Sequence, residues 1–100
     1  MLLAIDVGNT HTVLGLFERD MLRRNWRILT EAGRTAHEYS VVLWNLLRMA
    51  GVEPAEIDGI IVANVVPQMQ STVDAMCHEQ TRNVPAVRSE NVLIPYPTGE

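Results

Sequence analysis

The chain has 100 residues, of which 47% are hydrophobic, and its formal net charge is −4. Its basic residues are all arginine and form no run longer than Arg23-Arg24, so it lacks the clustered positive charge that nonspecific nucleic-acid binding requires. A single cysteine, Cys77, excludes an intrachain disulfide, and no apolar segment approaches the ~20 residues that cross a bilayer. We therefore expect a soluble cytoplasmic protein that binds neither nucleic acid nor membrane and carries no leader peptide.

The first stretch of the chain predicts two strands joined by a tight bend. An apolar run, Leu2 to Ile5, has the length and residue types of a buried strand, and Asp6 closes it. Gly8 and Asn9 indicate a turn, and a second β-type run, Thr10 to Phe17, follows at once. One carboxylate and two short polar side chains are therefore expected where the two strands meet.

Such a bend is suited to a nucleotide phosphate. Gly8 lets an anion approach the backbone and permits a positive φ, and the amides of a turn can form a concave anion site. Asn9 and Thr10 can add hydrogen bonds, and Asp6 can hold Mg²⁺ directly or through water. The pattern is equally typical of an ordinary hairpin with Asn9 in the left-handed turn position and Asp6 solvated, and both interpretations stay open.

A third strand and a helix are predicted next. Met21 to Thr30 alternates as a strand, with Leu22, Trp26 and Ile28 in one phase. Thr35 and Glu38 form a capping box that begins a helix. Apolar residues from Tyr39 to Ala50 recur at helical spacing up to Gly51, which predicts a helix packed on the sheet.

The second half of the chain predicts a crossover and a parallel strand. Gly59 to Asn64 reads as a strand buried on both faces, and Pro67 as the first residue of a second helix. Val84 to Val87 is expected to form a short edge strand. The result is an α/β fold with a mixed five-stranded sheet of order 3-2-1-4-5 and helices packed on it. Asp6 and Asn64 would then point toward the same edge, where ligands bind in such sheets.

The remaining polar candidates carry weaker signals. Cys77 and His78 are neighbours in the predicted helix and do not face each other, so no Cys–His nucleophile is expected, and a zinc site lacks a second cysteine. Arg27 and Arg34 could contact phosphate or a partner subunit, although exposed strand and loop positions explain them as well.

Several stretches, in order, resemble one family. Asp6-Val7-Gly8-Asn9-Thr10 with Val13-Leu14-Gly15 resembles the first phosphate motif of the type III pantothenate kinases. The resemblance continues through Trp26-Arg27-Ile28, Gly33 to Tyr39, Ile57 to Val62, and Val65-Val66-Pro67. This family belongs to the actin-like phosphotransferases, so the resemblance implies that residues 1–100 form the ribonuclease H-like amino-terminal lobe.

The resemblance also implies a function. These kinases transfer the γ-phosphoryl group of ATP to pantothenate, the first step of coenzyme A synthesis, and use Mg²⁺ with potassium or ammonium. They are homodimers whose substrate site lies near the subunit interface. By resemblance, Asp6 organises Mg²⁺ through water and Tyr96 is the nearest match to a tyrosine that contacts pantothenate. The ATP phosphates would be held by Asp6, Val7, Gly8, Asn9, Thr10, His11, Thr12 and Val13.

The resemblance further implies that these 100 residues are catalytically incomplete. The family's catalytic aspartate, in a Gly-Ala-Asp-Arg motif, and its second lobe are expected beyond Glu100. Two other functions are compatible with the same residues. One is a non-catalytic regulator that resembles the Bvg accessory factors of the same family, and the other is a different small-molecule kinase on the actin-like fold.

Overall fold

One mixed sheet organises the chain. The structure, a computed structural model, describes the backbone of residues 1–80 and 86–89 and the side chains of residues 1–77. The strands are β1 (Leu2–Val7), β2 (His11–Glu18), β3 (Met21–Leu29), β4 (Gly59–Asn64) and β5 (Ala86–Ser89).

The order of these strands across the sheet is β3-β2-β1-β4-β5, as predicted. Strands β1, β2 and β3 form an antiparallel meander, whereas β4 runs parallel to β1 and β5 runs parallel to β4. The edge strand lies two residues further along the chain than predicted, and the first two residues of the predicted stretch, Val84 and Pro85, fall outside the described residues.

Two helices supply the crossovers: α1 (Ala36–Met49) joins β3 to β4, and α2 (Gln70–Gln80) follows β4. The predicted capping box is present, because the Glu38 amide donates to Thr35 Oγ1 at 3.2 Å and the Thr35 amide donates to Glu38 Oε1 at 2.8 Å. Gly51 ends the first helix with φ of 76°, a conformation that glycine adopts without steric cost.

The second helix begins later than predicted. Pro67 starts a short 3₁₀ turn, Pro67–Met69, that leads into α2 at Gln70. Proline suits this entry because its missing N–H would have no partner in a first turn. In the described part of the chain, no helix is long and apolar enough to cross a membrane.

The main core lies between the sheet and both helices. Ile5 of β1, Leu43 of α1 and Met69 of the 3₁₀ turn before α2 belong to this core and are at most 1% exposed. Burying one such side chain stabilises the folded state by about 1.5–3 kcal/mol, so this core fixes where β1 ends. A smaller cluster covers the opposite face of the sheet and contains Ala4, Val13, Phe17 and Ala63.

A β-bulge changes the phase of β3. Leu16 pairs with Arg24, but its neighbour Phe17 pairs with Leu22, so one extra residue is inserted in β3. Trp26 and Ile28 therefore pack against the helix-side core, while Leu22 packs on the opposite face. The prediction that Leu22 shares their phase was wrong, because it assumed uninterrupted alternation along the strand.

Candidate functional site

The bend between β1 and β2 lies at the carboxyl end of the central strand. Gly8, Asn9 and Thr10 connect the two strands, and the carboxyl ends of parallel β1 and β4 meet beside them. The Val65 amide, just past β4, donates to the Val7 carbonyl at 3.1 Å and holds these two ends together. The apolar run that ends at Asp6 thus places the bend at the edge of the sheet where ligands bind in folds of this class.

The backbone of the bend is closed from within. The Gly8 amide donates to the His11 carbonyl at 2.9 Å, so it is already engaged and adds no donor to an anion site. Positive φ values occur in the described chain at Arg19 and Gly51. Neither Gly8 nor Asn9 adopts the left-handed conformation that the sequence analysis considered for each, so the ordinary hairpin with a left-handed Asn9 is not formed.

The tip of the bend faces outward. Asn9 and Thr10 are exposed, and among the described residues their amides receive no hydrogen-bond acceptor. The amides of these two adjacent residues and the Thr10 hydroxyl form a small set of donors of the kind that binds phosphate oxygens. The donors at this bend are therefore those of Asn9 and Thr10.

The other side chains of the predicted phosphate motif are much less accessible. Val7 and Val13 are 1% and 3% exposed, and they lie on opposite faces of the sheet. Thr12 is 5% exposed, and its hydroxyl lies 2.8 Å from the Thr30 hydroxyl. These three side chains pack beneath the bend, whereas Asp6 and His11 are half-buried beside it.

The strand register defines which residues share a face with Asp6. Asp6 pairs with Val13 on one side and with Ala63 on the other, and Val13 in turn pairs with Arg27. Because paired residues on neighbouring strands project to the same face, Asp6 and Arg27 lie in one row, two strands apart. His11 belongs to the same face, so one carboxylate and two basic side chains border the bend.

Asn64 has a different role from the one expected. It pairs with Val7, so it lies on the face opposite Asp6, although it ends the neighbouring strand. Its Nδ2 donates to Gln70 Oε1 at 3.1 Å, and its Oδ1 accepts from the Val66 amide at 2.9 Å. These bonds link β4 to the start of α2. Asp6 and Asn64 both lie near the carboxyl edge of the sheet, as expected, but on opposite faces of it.

A cluster that the sequence analysis did not assign to the site supports the bend from the β3–α1 connection. The Thr30 amide donates to the Thr10 carbonyl at 2.8 Å. The Tyr39 hydroxyl, on α1, accepts from the Glu31 amide at 2.7 Å and donates to the Glu31 carbonyl at 2.8 Å. One signal was present in the sequence: a tyrosine facing a mainly aliphatic core needs a partner for its hydroxyl.

The remaining candidates lie away from the bend or outside the described residues. Burial raises the pKa of the Cys77 thiol to about 12, with a smaller contribution from the nearby Asp74 carboxylate, so this thiol stays protonated and is a poor nucleophile. Tyr96 and the side chain of His78 lie outside the part that the structure describes.

The metal-binding side chains at the bend fit an ion that is bound mainly by phosphate and water better than an ion enclosed by protein ligands. In the described chain, no group of three or more histidine, cysteine, aspartate or glutamate side chains is arranged to hold a metal ion. Asp6 offers a single carboxylate next to the hydrogen-bond donors of Asn9 and Thr10. Mg²⁺ is commonly bound by one or two carboxylates together with water and substrate phosphates, and Asp6 fits that pattern.

Comparison with solved structures identifies the fold. A Bacteroides thetaiotaomicron protein described as having an actin-like ATPase fold superposes with a TM-score of 0.61 at 13% identity, over 90% of this chain and 32% of that one. YeaZ from Pseudomonas aeruginosa superposes with a TM-score of 0.59 at 17% identity, over 89% of this chain and 42% of that one. At these identities the likeness concerns the fold alone, which is the actin-like ATPase fold expected from the sequence.

Comparison of sequences identifies the family. The family model for type III pantothenate kinases matches residues 2–95. The chain is 47% identical over 87 residues to a type III pantothenate kinase of Syntrophotalea carbinolica, covering 87% of this chain and 34% of that protein. It is 48% identical over 77 residues to one from Anaeromyxobacter, covering 77% of this chain and 30% of that protein. The chain spans about a third of the length of these relatives, and it belongs to the type III pantothenate kinase family.

Proposed function

We propose that the full-length protein transfers the γ-phosphoryl group of ATP to pantothenate, giving 4′-phosphopantothenate, and that this chain supplies its first phosphate-binding bend. The observation that carries the proposal is the outward tip of Asn9 and Thr10 beside Asp6, at the common carboxyl end of β1 and β4. Phosphoryl transfer depends mainly on positioning and charge neutralisation, and a bend fixed between two packed strands supplies the first of these.

Each residue of the phosphate motif has a role that its accessibility allows. The Asn9 and Thr10 amides and the Thr10 hydroxyl donate to phosphate oxygens. Gly8 gives the phosphate close access to the backbone, while its own amide closes the bend through His11. The buried side chains of the same motif hold the bend in place and contact no nucleotide; they are Val7, Thr12 and Val13.

Asp6 is the residue proposed to hold Mg²⁺, through water. Its carboxylate would repel a bare triphosphate, and a cation between Asp6 and the bound phosphates would remove that repulsion. Bound there, Mg²⁺ would neutralise charge on the transferred group. Arg27, in the same row as Asp6, adds positive charge to this face of the sheet.

The remaining parts of the proposal rest on the family. They are potassium or ammonium as a further cation, a homodimer, a cytoplasmic location, Tyr96 as a pantothenate contact, and a catalytic aspartate beyond Glu100. They are carried over from the resemblance to this family, and the names of the matched relatives support the kinase activity alone.

The proposal is tested by assaying the purified full-length gene product with ATP, Mg²⁺ and pantothenate in potassium or ammonium buffer. We expect turnover, and Asp6→Asn should lower kcat/KM for ATP by about 10- to 100-fold, as loss of an outer-sphere metal partner does. Asp20→Asn is the matched control: Asp20 is exposed in the turn between β2 and β3, at the opposite end of the sheet, and its replacement should leave turnover unchanged.

Two results would redirect the proposal to the alternatives. Binding of MgATP without phosphorylation of any acceptor would favour a non-catalytic regulator. Phosphorylation of another alcohol in a substrate screen, with pantothenate left unchanged, would favour a different kinase on the same fold.

A further inference from the structure

The phosphate-binding bend is held in place by the connection between β3 and α1. The Thr30 amide donates to the carbonyl of Thr10 at 2.8 Å, and the Thr30 hydroxyl lies 2.8 Å from that of Thr12. Both contacts come from one residue, which follows directly after the last residue of β3. The position of Thr10 therefore depends on where the chain places Thr30.

Thr30 is in turn fixed by a tyrosine from the core. The hydroxyl of Tyr39 accepts from the amide of Glu31 at 2.7 Å and donates to the carbonyl of the same residue at 2.8 Å. Tyr39 is 4% exposed and packs with the main core, so its oxygen is held by the helix and sheet together. One phenol thus fixes both backbone groups of the residue that follows Thr30.

An arginine completes this arrangement. The guanidinium of Arg34 pairs with the Glu31 carboxylate at 2.8 Å, and its Cζ lies 5.5 Å from the centre of the Tyr39 ring. Stacking on an aromatic face and pairing with a carboxylate are two uses to which a guanidinium is well suited. Glu31 is therefore held through its backbone and through its side chain.

The hydrogen bonds to Tyr39 do more than give the backbone groups of Glu31 a hydrogen-bond partner. Glu31 is an exposed residue, and its carbonyl also accepts from the Arg34 amide at 3.1 Å, so this carbonyl has a partner without the phenol. What the phenol adds is a fixed location for this segment relative to the core. Small displacements of a binding group reduce its contribution strongly, so a fixed location has functional value.

We propose that Tyr39 is a positioning residue for phosphate binding, acting through Glu31 and Thr30 to hold Thr10 at the tip of the bend. The inference rests on the proposed function for its ligand, the triphosphate of ATP. It differs from that function in naming a buried residue of α1 that touches no nucleotide. The chain of contacts runs from the core to the tip through hydrogen bonds of 2.7 to 2.8 Å.

Tyr39→Phe is the variant that tests it, because it removes one oxygen and keeps the ring in the core. In the full-length protein we expect KM for ATP to rise about 3- to 10-fold, the factor that corresponds to one net hydrogen bond. The kcat and the KM for pantothenate should change by less than about 2-fold, since the phenol acts only on the phosphate tip.

Leu47→Val is the control for a merely structural effect. Leu47 is buried in the same helix, two turns beyond Tyr39, and its truncation lowers stability without touching the β3–α1 connection. It should lower the urea midpoint at least as much as Tyr39→Phe and leave KM for ATP unchanged. Equal increases of KM in the two variants, or no increase in Tyr39→Phe, would overturn the inference.

A second measurement does not depend on catalysis. Hydrogen exchange of the Thr30 amide, which donates to the Thr10 carbonyl, should be faster without nucleotide in Tyr39→Phe than in the wild-type protein, and unchanged in Leu47→Val. Unchanged exchange in Tyr39→Phe would refute the positioning role even if the protein phosphorylates pantothenate. Faster exchange together with absence of kinase activity would support the positioning role and reject the proposed function.

Discussion

The hydroxyl pair of Thr12 and Thr30 gives a sharp energetic prediction. Sequence reasoning placed Thr12 among the ATP-binding residues, but its side chain is 5% exposed and its oxygen lies 2.8 Å from that of Thr30. The perturbation is replacement of each threonine by valine, singly and together. Valine has nearly the same shape, so these changes remove the hydroxyls and keep the packing and the strand geometry.

The magnitudes follow from the burial of each hydroxyl. Thr30→Val leaves the Thr12 hydroxyl buried without a partner, which should lower the free energy of unfolding by about 1–3 kcal/mol. Thr12→Val leaves the hydroxyl of the half-buried Thr30, which can turn to water, so the loss should be about 0.5–1.5 kcal/mol. The double variant has no orphaned hydroxyl and should lose less than the sum of the two, by about 1 kcal/mol or more.

Urea unfolding of the four proteins measures this coupling. The m-value should be the same in all four, so that differences in midpoint report differences in stability. Additive losses, within about 0.5 kcal/mol, would refute the hydrogen bond and with it the assignment of Thr12 to the support of the bend.

Three further predictions concern charged and reactive groups. The Thr35 amide and, less strongly, the Thr35 hydroxyl lower the pKa of Glu38 from its ordinary 4.5. The capping box therefore stabilises α1 above the unfolded-state pKa and loses this contribution as pH falls through the folded-state pKa. In Glu38→Gln, the free energy of unfolding measured with urea should therefore fall less steeply than in the wild-type protein as the pH is lowered from about 7 to about 3. An unchanged dependence on pH would contradict the capping box. Cys77, buried and with a pKa raised to about 12, should react with a thiol reagent at neutral pH only as fast as the protein opens, so rapid labelling of the native protein would refute its burial. Arg27→Ala should raise KM for MgATP by about 3- to 10-fold, whereas Arg24→Ala, on the opposite face of the same strand, should not; equal effects would remove Arg27 from the phosphate face.

Features that depend on local pattern were predictable. The apolar run before Asp6 and the continuous apolar run of β4 gave the two central parallel strands, and the capping box gave the start of α1. Each of these signals lies within a few neighbouring residues, where side-chain chemistry and backbone geometry are directly coupled. Together with the short connections they were enough to give the order of the sheet.

Features that depend on tertiary register were not predictable. Leu22 lies on the opposite face from Trp26 because of a bulge between β2 and β3, and its local sign in the sequence is Arg24, a charged residue that breaks the apolar phase. Thr12 bonds to Thr30, 18 residues away, and Asn64 bonds to Gln70 at the start of α2, so a count along each strand gives the face of the side chain but not its partner. Such partners are chosen by how strands and helices pack, and a local pattern carries no information on that choice.

The three-residue bend has features of both kinds: some follow from the local sequence pattern, and others depend on how the strands pair. Its location and the exposure of its tip follow from the strand pattern and the turn residues. The Gly8 amide bonds within the bend because His11 pairs with Leu29 of β3, and this pairing positions the His11 carbonyl to accept from Gly8. Sequence reasoning therefore located the bend but not the hydrogen bond of the Gly8 amide within it.

The central claim is that the tip of this bend binds the phosphates of MgATP. The most direct measurement is an NMR titration of the full-length protein with MgATP, following the backbone amides of Asn9 and Thr10. We expect both signals to shift on binding, to shift much less in Asp6→Asn, and to shift as in the wild-type protein in Asp20→Asn. Saturable MgATP binding that leaves both amides unshifted would contradict the account.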